Sequence, residues 1–236
     1  MNPPDPPLRP GASLAALPPA AGHPVRSALP EAERDAHYDR LAAVYDLVVG
    51  LRAYNRLVWG LPRDRYAEVI AAALRAAGDG VLLDAGAGSG LFSAPCYRAH
   101  PVPAVLLDRS LGMLHRAAAR LPGAPVALVQ GDLLALPFAD DAFSAALHFG
   151  IPHVLPDLAP PFAELARVVR PGGTVHAASL VRSGRALGDF FLGRLHAAGE
   201  VAAPRTAEEV RAALAVHGEV SLTCEGSWAF AVLTVR

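Results

Sequence analysis

Val81-Leu82-Leu83-Asp84-Ala85-Gly86-Ala87-Gly88-Ser89-Gly90 is the stretch whose reading decides the fold. Its first residues are apolar without alternation, as in a strand buried on both faces, and the run ends on an acid before three glycines at alternate positions. Glycine reaches backbone dihedrals closed to other residues and lets a ligand approach the main chain without a Cβ in the way. A buried strand, a glycine-rich turn and a following helix form a place where a nucleotide-like cofactor can lie. The bland alternative is a tight strand-to-helix turn that happens to be rich in glycine.

The same rhythm recurs downstream. Short apolar runs at 81–83, 104–107, 126–129, 143–149 and 174–181 are each followed by turn residues and then a helical pattern. Strands alternating with helices in this way predict an α/β fold with a parallel sheet covered on both faces. The intervening helices are expected to begin near Gly90, Ser110, Asp157 and Ser183. The ending differs: Thr206 with Glu209 has the spacing of a capping box, and residues 219–223 and 228–235 flank Cys224-Glu225-Gly226-Ser227, a hairpin signature.

Upstream, nine of the 22 prolines fall within residues 1–30, so this stretch is expected to be a Pro-rich disordered or loosely draped arm. Residues 31–79 are expected to form a helical cap and the first helix of the domain. Tyr38, Leu41, Ala42, Tyr45, Leu47 and Val48 recur at helical spacing, a second stretch holds Tyr54, Leu57 and Val58, and a third runs from about Asp64 to Ala77 before Gly78. The ligand-binding domain is placed at 80–236.

The 236 residues suit one domain with an appendage. No apolar run approaches the roughly 20 residues of a membrane helix, so membrane insertion is not expected. The 21 basic residues are all arginines, which excludes catalysis by a lysine Schiff base and a P-loop lysine. A net charge of −1 gives no general attraction to nucleic acid. Cys96 and Cys224 stand far apart, encoding neither a disulfide framework nor a CxxC metal site, and the opening residues lack a basic segment followed by an apolar stretch. A cytoplasmic protein is the expectation, with monomer and homodimer both open.

The spacing of the glycine turn discriminates between cofactors. Dinucleotide sites favour G-x-G-x-x-G, where a helix terminus meets a pyrophosphate. Here the pattern is G-x-G-x-G with Asp84 two residues ahead, and an acid in that position suits a positively charged ligand. Asp108 closes the second strand, placed to accept hydrogen bonds from ribose hydroxyls. Its alternative role is that of an acid at a helix N-terminus before Ser110. Asp132, in Gln130-Gly131-Asp132-Leu133, follows the third strand and is placed to accept from an exocyclic amine. Alone it reads as an ordinary turn residue.

Taken together, these segments resemble the class I S-adenosylmethionine-dependent methyltransferases, in particular the small-molecule branch that includes ubiquinone and menaquinone C-methyltransferase-like enzymes. The resemblance runs from about Tyr38 to Leu180 and rests on five ordered matches: Tyr38 to Asp46, Asp84 to Gly90, Leu107 to Leu114, Gly131-Asp132-Leu133 with Leu136-Pro137-Phe138, and Leu165 to Gly173. It implies a Rossmann-like seven-stranded sheet ordered 3-2-1-4-5-7-6 with an antiparallel last strand. It also implies S-adenosyl-L-methionine as cofactor, S-adenosyl-L-homocysteine as product and a small-molecule acceptor methylated on oxygen, nitrogen or carbon.

By the same resemblance, Asp84 and Ala85 with Gly86, Gly88 and Gly90 hold the methionine part of the cofactor. Asp108, with Arg109 beside it, binds the ribose; Met113 and Leu133 sandwich the adenine, and Gly131 and Asp132 meet its amine. His148 and Phe149 lie near the sulfur, and Tyr38 and Tyr45 close over the cofactor or anchor the cap. Ser144 stands where the family commonly has a structural acid.

Methyl transfer from a sulfonium is an in-line displacement that proximity and orientation can largely carry. A base is needed only for an acidic acceptor, and His153, in His148-Phe-Gly-Ile-Pro-His153, is the catalytic candidate, against the plainer reading of a loop histidine that shapes the pocket. Asp140-Asp141 reads as a polar turn and Phe190, Phe191, Leu192 and Leu195 chiefly as helix core, while His37 lacks partners at metal-ligand spacing and no metal is expected. A nicotinamide-dependent oxidoreductase using the same turn, and a non-catalytic cofactor-binding protein, are the competing readings.

Overall fold

A computed structural model describes residues 3–9, 14–20, 25–30 and 50–236. Its centre is one eight-stranded sheet. In chain order the strands are β1 (Val25–Ser27), β2 (Leu82–Ala85), β3 (Ala104–Asp108), β4 (Val126–Gln130), β5 (Phe143–Phe149), β6 (Val169–Leu180), β7 (Gly218–Glu225) and β8 (Trp228–Val235). They lie side by side as β1-β4-β3-β2-β5-β6-β8-β7. Setting β1 aside, this is the expected 3-2-1-4-5-7-6, parallel from β4 to β6 with β8 antiparallel to both its neighbours.

The helices are α1 (Arg63–Ala77), α2 (Ala94–Ala99), α3 (Leu111–Arg120), α4 (Ala159–Val168), α5 (Ala186–Ala197) and α6 (Ala207–Ala215). Residues of α1, α2 and α3, such as Ile70, Leu74, Tyr97 and Leu114, pack with Leu82, Leu106 and Leu147 on one face of the sheet. Phe162 and Leu165 of α4 with Val210 and Leu214 of α6 cover Leu83, Leu107, Ala146 and Val175 on the other. Alternate strand residues therefore serve two cores, which is why these strands read as solid apolar runs. The Thr206 and Glu209 capping box is present, with the Thr206 side chain accepting from the Glu209 amide at 3.2 Å and the Thr206 amide donating to the Glu209 carboxylate at 2.6 Å.

The arm departs from expectation. Where a loose segment is expected, β1 adds a parallel edge strand to β4, and Ser27 Oγ donates to Gln130 Oε1 at 3.0 Å. Leu8 and Leu14 are buried in the core beside Leu136 and Phe138. The Arg9 amide donates to the Pro137 carbonyl at 2.9 Å, so the described parts of 1–30 are docked rather than draped. Proline denies a stretch its regular ladder but leaves apolar side chains free to fill a groove, and proline counting hides that. The expected first cap helix, with Tyr38 and Tyr45, lies outside the described residues. The second appears as a helical turn Arg52–Tyr54 running into a π-helical turn Asn55–Trp59.

Three local details close the frame. Ser144 donates from Oγ to the Ala77 carbonyl at 2.9 Å, tying the end of α1 to β5 as a structural residue would. Asp140 pairs with Arg167 at 2.7 Å and Asp141 takes a positive φ, so the two acids form the expected polar turn. Arg167 also binds Glu164 and the carbonyls of Leu136 and Phe138, drawing the 136–141 turn onto α4.

Candidate functional site

The glycine turn leaves the carboxyl end of β2, between β3 and β5, where the strand order reverses; ligands of open α/β sheets bind in that crevice. Its backbone is pinned from below: the amides of Gly86 and Ala87 both donate to the Leu107 carbonyl, at 2.7 and 3.0 Å. Gly86 has φ +84°, and a Cβ there would run into Cγ1 of Ile151 from the loop after β5. Gly88 has φ +56° and, among the described residues, nothing within 4 Å of where a Cβ would stand, so this side of the turn is open to a ligand. The glycines thus do two jobs, one a close approach within the protein and one an open rim.

Three carboxylates stand at or just past the carboxyl ends of three adjacent strands, β2, β3 and β4. Asp84 is buried, and its Oδ2 accepts from the Tyr97 hydroxyl at 3.0 Å. Burial pushes this carboxyl up to about 7; the Tyr97 hydrogen bond opposes that and the charge of Asp108 adds to it. Asp108 Oδ2 accepts from the Gly88 amide at 2.8 Å and Oδ1 from the Ser110 amide at 2.9 Å. It therefore braces the turn from the end of β3. Asp132 Oδ2 pairs with Arg109 at 2.7 Å while Oδ1 accepts from the Leu134 amide at 2.9 Å. Arg109 is thereby committed to Asp132 rather than presented to a ligand as a free cation.

Met113 sits in the first turn of α3, where its amide donates to the Ser110 cap at 3.1 Å, and its side chain is buried. Gly131 donates to the Asp108 carbonyl at 3.1 Å, and Leu133 packs half-buried against the core beside it. The structure thus gathers Asp84, Asp108, Asp132 and the glycine turn around one end of the sheet.

The two histidines sit in opposite hydrogen-bonding environments. His148 is fully buried, and its Nδ1 lies 2.8 Å from the Ala85 carbonyl, which can only accept. That fixes Nδ1 as protonated and leaves the Nε2 lone pair without a partner among the described residues. Burial pushes its pKa down to about 4, against the opposing hydrogen bond to Ala85, so it is neutral at ordinary pH. In His153 the arrangement is reversed. Nδ1 accepts from the Leu180 amide at 3.2 Å, so Nε2 carries the hydrogen and no lone pair is left to take a proton. Burial first and the neighbouring His148 second lower its pKa to about 4. In this geometry His153 is bonded to backbone, in line with the plainer of its two readings, and presents a donor rather than an acceptor at Nε2.

Apart from Phe149, sequence reading missed the aromatic side of the site. Phe149 stacks on Trp228, with centroids 5.4 Å apart, and Tyr66 meets both rings edge-on at 5.5 and 5.4 Å. His153 meets Trp228 at 5.8 Å and 90°. Trp228 is buried, and its Nε1 has no partner among the described residues. It lies at the far end of the chain, in a hairpin whose aromatic residues read as ordinary strand formers. Tyr97 and Ile151 were missed for the same reason, since neither carries a motif of its own. Among the described residues no group of His, Cys, Asp and Glu is arranged to hold a metal ion.

Residues 83–177 match the family model described as a methyltransferase domain. The demethylmenaquinone methyltransferase of Thermobifida fusca is 36% identical over 156 residues, covering 63% of this chain and 62% of that protein. The chain thus spans about three fifths of the length of that curated relative. A SAM-dependent methyltransferase from Thermotoga maritima superposes with a TM-score of 0.63 at 17% identity, covering 84% of this chain and 98% of the other. Geranyl diphosphate C-methyltransferase from Streptomyces coelicolor, solved with S-adenosyl-L-homocysteine, superposes with a TM-score of 0.58 at 17% identity, covering 85% and 93%. At those identities the likeness concerns the fold alone.

Proposed function

We propose, from the premise that residues 83–177 form a class I methyltransferase domain, that this protein is an S-adenosylmethionine-dependent methyltransferase acting on a small-molecule acceptor. The observation that carries this reading is the trio Asp84, Asp108 and Asp132 around a glycine turn with an open rim at Gly88. A dinucleotide's pyrophosphate would meet three acids here, whereas a sulfonium cofactor with an ammonium, two ribose hydroxyls and an adenine amine presents donors to acceptors. The nicotinamide reading is disfavoured on that ground.

The cofactor supplies an activated methyl group on a positively charged sulfur. The chain's part is binding, orientation and exclusion of water. Asp84 holds the ammonium, with Tyr97 fixing its carboxylate; Asp108 accepts from the ribose and keeps the turn in shape. Asp132 receives the adenine amine between Met113 and Leu133. Arg109 acts on the ligand only through Asp132.

For the acceptor, the half-buried ring of Phe149, backed by Trp228, offers an apolar wall, and the curated relative acts on a demethylmenaquinone. We assign an aromatic, quinol-like acceptor to this protein. Neutral His153 lends a donor from Nε2, and the reaction gains mainly from proximity. The test is calorimetry with S-adenosylhomocysteine followed by transfer of labelled methyl from S-adenosylmethionine to demethylmenaquinol and to simpler hydroquinones. Micromolar binding with label in the quinol is expected. Binding of NADH instead, or binding of S-adenosylhomocysteine unchanged in Asp108→Ala, refutes the assignment. Binding without transfer to any quinol refutes the acceptor class alone.

A further inference from the structure

The end of the sheet that carries the glycine turn also carries an uncovered apolar surface. Among the described residues six large apolar side chains are exposed, and four of them, Leu51, Leu57, Leu187 and Phe190, belong to the helical turn Arg52–Trp59 with its preceding residue and to α5. The two elements touch: Tyr54 meets Phe191 edge-on at 6.5 Å, and Gly188 lies so close to the Val58 carbonyl that a Cβ would stand 3.3 Å from it. In α5 the buried positions are Gly188 and Leu192, whereas Leu187, Phe190 and Arg194 follow one another at steps of three and four on the exposed face. Leu57 and Phe190 are 66% and 62% exposed, far more than a helix position that packs within a core.

The charges on these elements are of one sign. Arg52, Arg56, Arg185 and Arg194 are exposed and make no ion pair among the described residues. The single acid within them, Asp189, is half-buried and accepts from the amides of Ser183 and Gly184. Some arginines elsewhere are paired, as in Arg65 with Glu225, Arg167 with Glu164 and Arg211 with Glu208, whereas these four share one face with no exposed acid on its elements, in a chain whose net charge is only −1. Apolar side chains projecting between unpaired arginines are the chemistry of a surface that meets anionic headgroups and dips its apolar groups beneath them.

We propose that this face is a docking surface for an anionic lipid bilayer, on which the protein adsorbs without any segment crossing. Its placement gives the contact a purpose. The Trp59 carbonyl accepts from the Ser227 amide at 2.8 Å, and α5 leaves the carboxyl end of β6 where Leu180 pairs with Trp228. Adsorption through Leu57 and Phe190 therefore turns the carboxyl end of the sheet, with Trp228 and Phe149 behind it, toward the lipid. No helix among the described residues is long and apolar enough to span, so association is peripheral and salt-sensitive. Vesicle binding is read without substrate or cofactor, so its outcome is independent of the reaction assigned above.

The experiment is co-flotation of the full chain with vesicles of phosphatidylcholine alone and of phosphatidylcholine with phosphatidylglycerol. The wild type is expected to float with the anionic vesicles only, and to be released by high salt. Arg52→Gln with Arg56→Gln should weaken partitioning roughly thirtyfold, each arginine near an anionic surface being worth about a factor of five. Leu57→Ser with Phe190→Ser should abolish flotation while the circular dichroism spectrum and melting temperature stay unchanged, because both side chains are exposed. Failure of the wild type to bind anionic vesicles, or binding equal in all variants, overturns the proposal. So does a concentration-dependent dimer in sedimentation velocity that the Leu57→Ser, Phe190→Ser variant disperses, since the face would then cover a second copy.

Discussion

Replacing Asp84 by Asn should separate the stability of this protein from its ligand affinity. The carboxyl is buried and its pKa rises from 3.8 to about 7, which at about 1.4 kcal/mol per decade corresponds to about 4 kcal/mol against the charged form. Because the folded value lies above the unfolded one, the penalty is absent below pH 4, grows as pH rises and is complete above pH 7. Asn keeps the acceptor for Tyr97 and removes the charge. Burial of its amide NH2 costs about 1–3 kcal/mol, but equally at every pH. Relative to wild type, the variant should therefore gain on the order of 10 °C in melting temperature between pH 4.5 and pH 8, taking about 2–4 °C per kcal/mol for a chain of this size.

Affinity should move the other way. In the wild type about a tenth of Asp84 is ionised at about pH 6 and about nine tenths at about pH 8, so S-adenosylhomocysteine should bind roughly tenfold tighter at the higher pH. In Asp84→Asn that pH dependence should vanish along with most of the affinity. Differential scanning fluorimetry across pH and calorimetry at both ends read these two effects. A stability difference between variant and wild type that is the same at pH 4.5 and pH 8 would refute the reasoning, as would a pH-independent wild-type affinity.

Other expectations follow from single contacts. Asp108→Ala strips the acceptor from the Gly88 and Ser110 amides and should weaken S-adenosylhomocysteine about ten- to a hundredfold by calorimetry, as expected for charge-assisted hydrogen bonds. Gly86→Ala meets both a positive φ and Ile151, so it should cost about 1–3 kcal/mol in chemical denaturation, and adding Ile151→Ala should restore only the steric part. Leu14→Ala, in the docked arm, should lose about 2–5 kcal/mol, whereas a draped arm would lose nothing. Neutral His148 and His176, each pushed down to about 4 by burial, contribute stability that is present above pH 6.5 and lost as pH falls toward 4; His176→Gln should blunt that acid transition.

Much of this protein is local enough to read from its sequence. The turn 84–90 needs glycines because of its own dihedrals, the capping box of α6 closes within four residues, and strands buried on both faces betray themselves as unbroken apolar runs. The acids Asp84, Asp108 and Asp132 are likewise legible, since each stands at or just past the end of a strand and the parallel topology brings strand ends together. What escaped was long-range. Tyr97 owes its role to a carboxylate 13 positions away, and Trp228 meets Phe149 across about half of the domain.

The docked arm and the histidine tautomers show where sequence stops and why. Nine prolines leave room for only a short ladder, β1, and only the finished groove beside Leu136 and Phe138 decides whether Leu8 and Leu14 find a place to bury themselves. Likewise the sequence put histidines at 148 and 153, and the backbone chose which nitrogen of each is occupied, an Ala85 carbonyl taking a hydrogen from one and a Leu180 amide giving one to the other. Periodicity and turn chemistry act between neighbours in the chain and so are written in it. Desolvation, proton placement and the covering of apolar faces depend on which distant groups arrive, and only the tertiary structure supplies them.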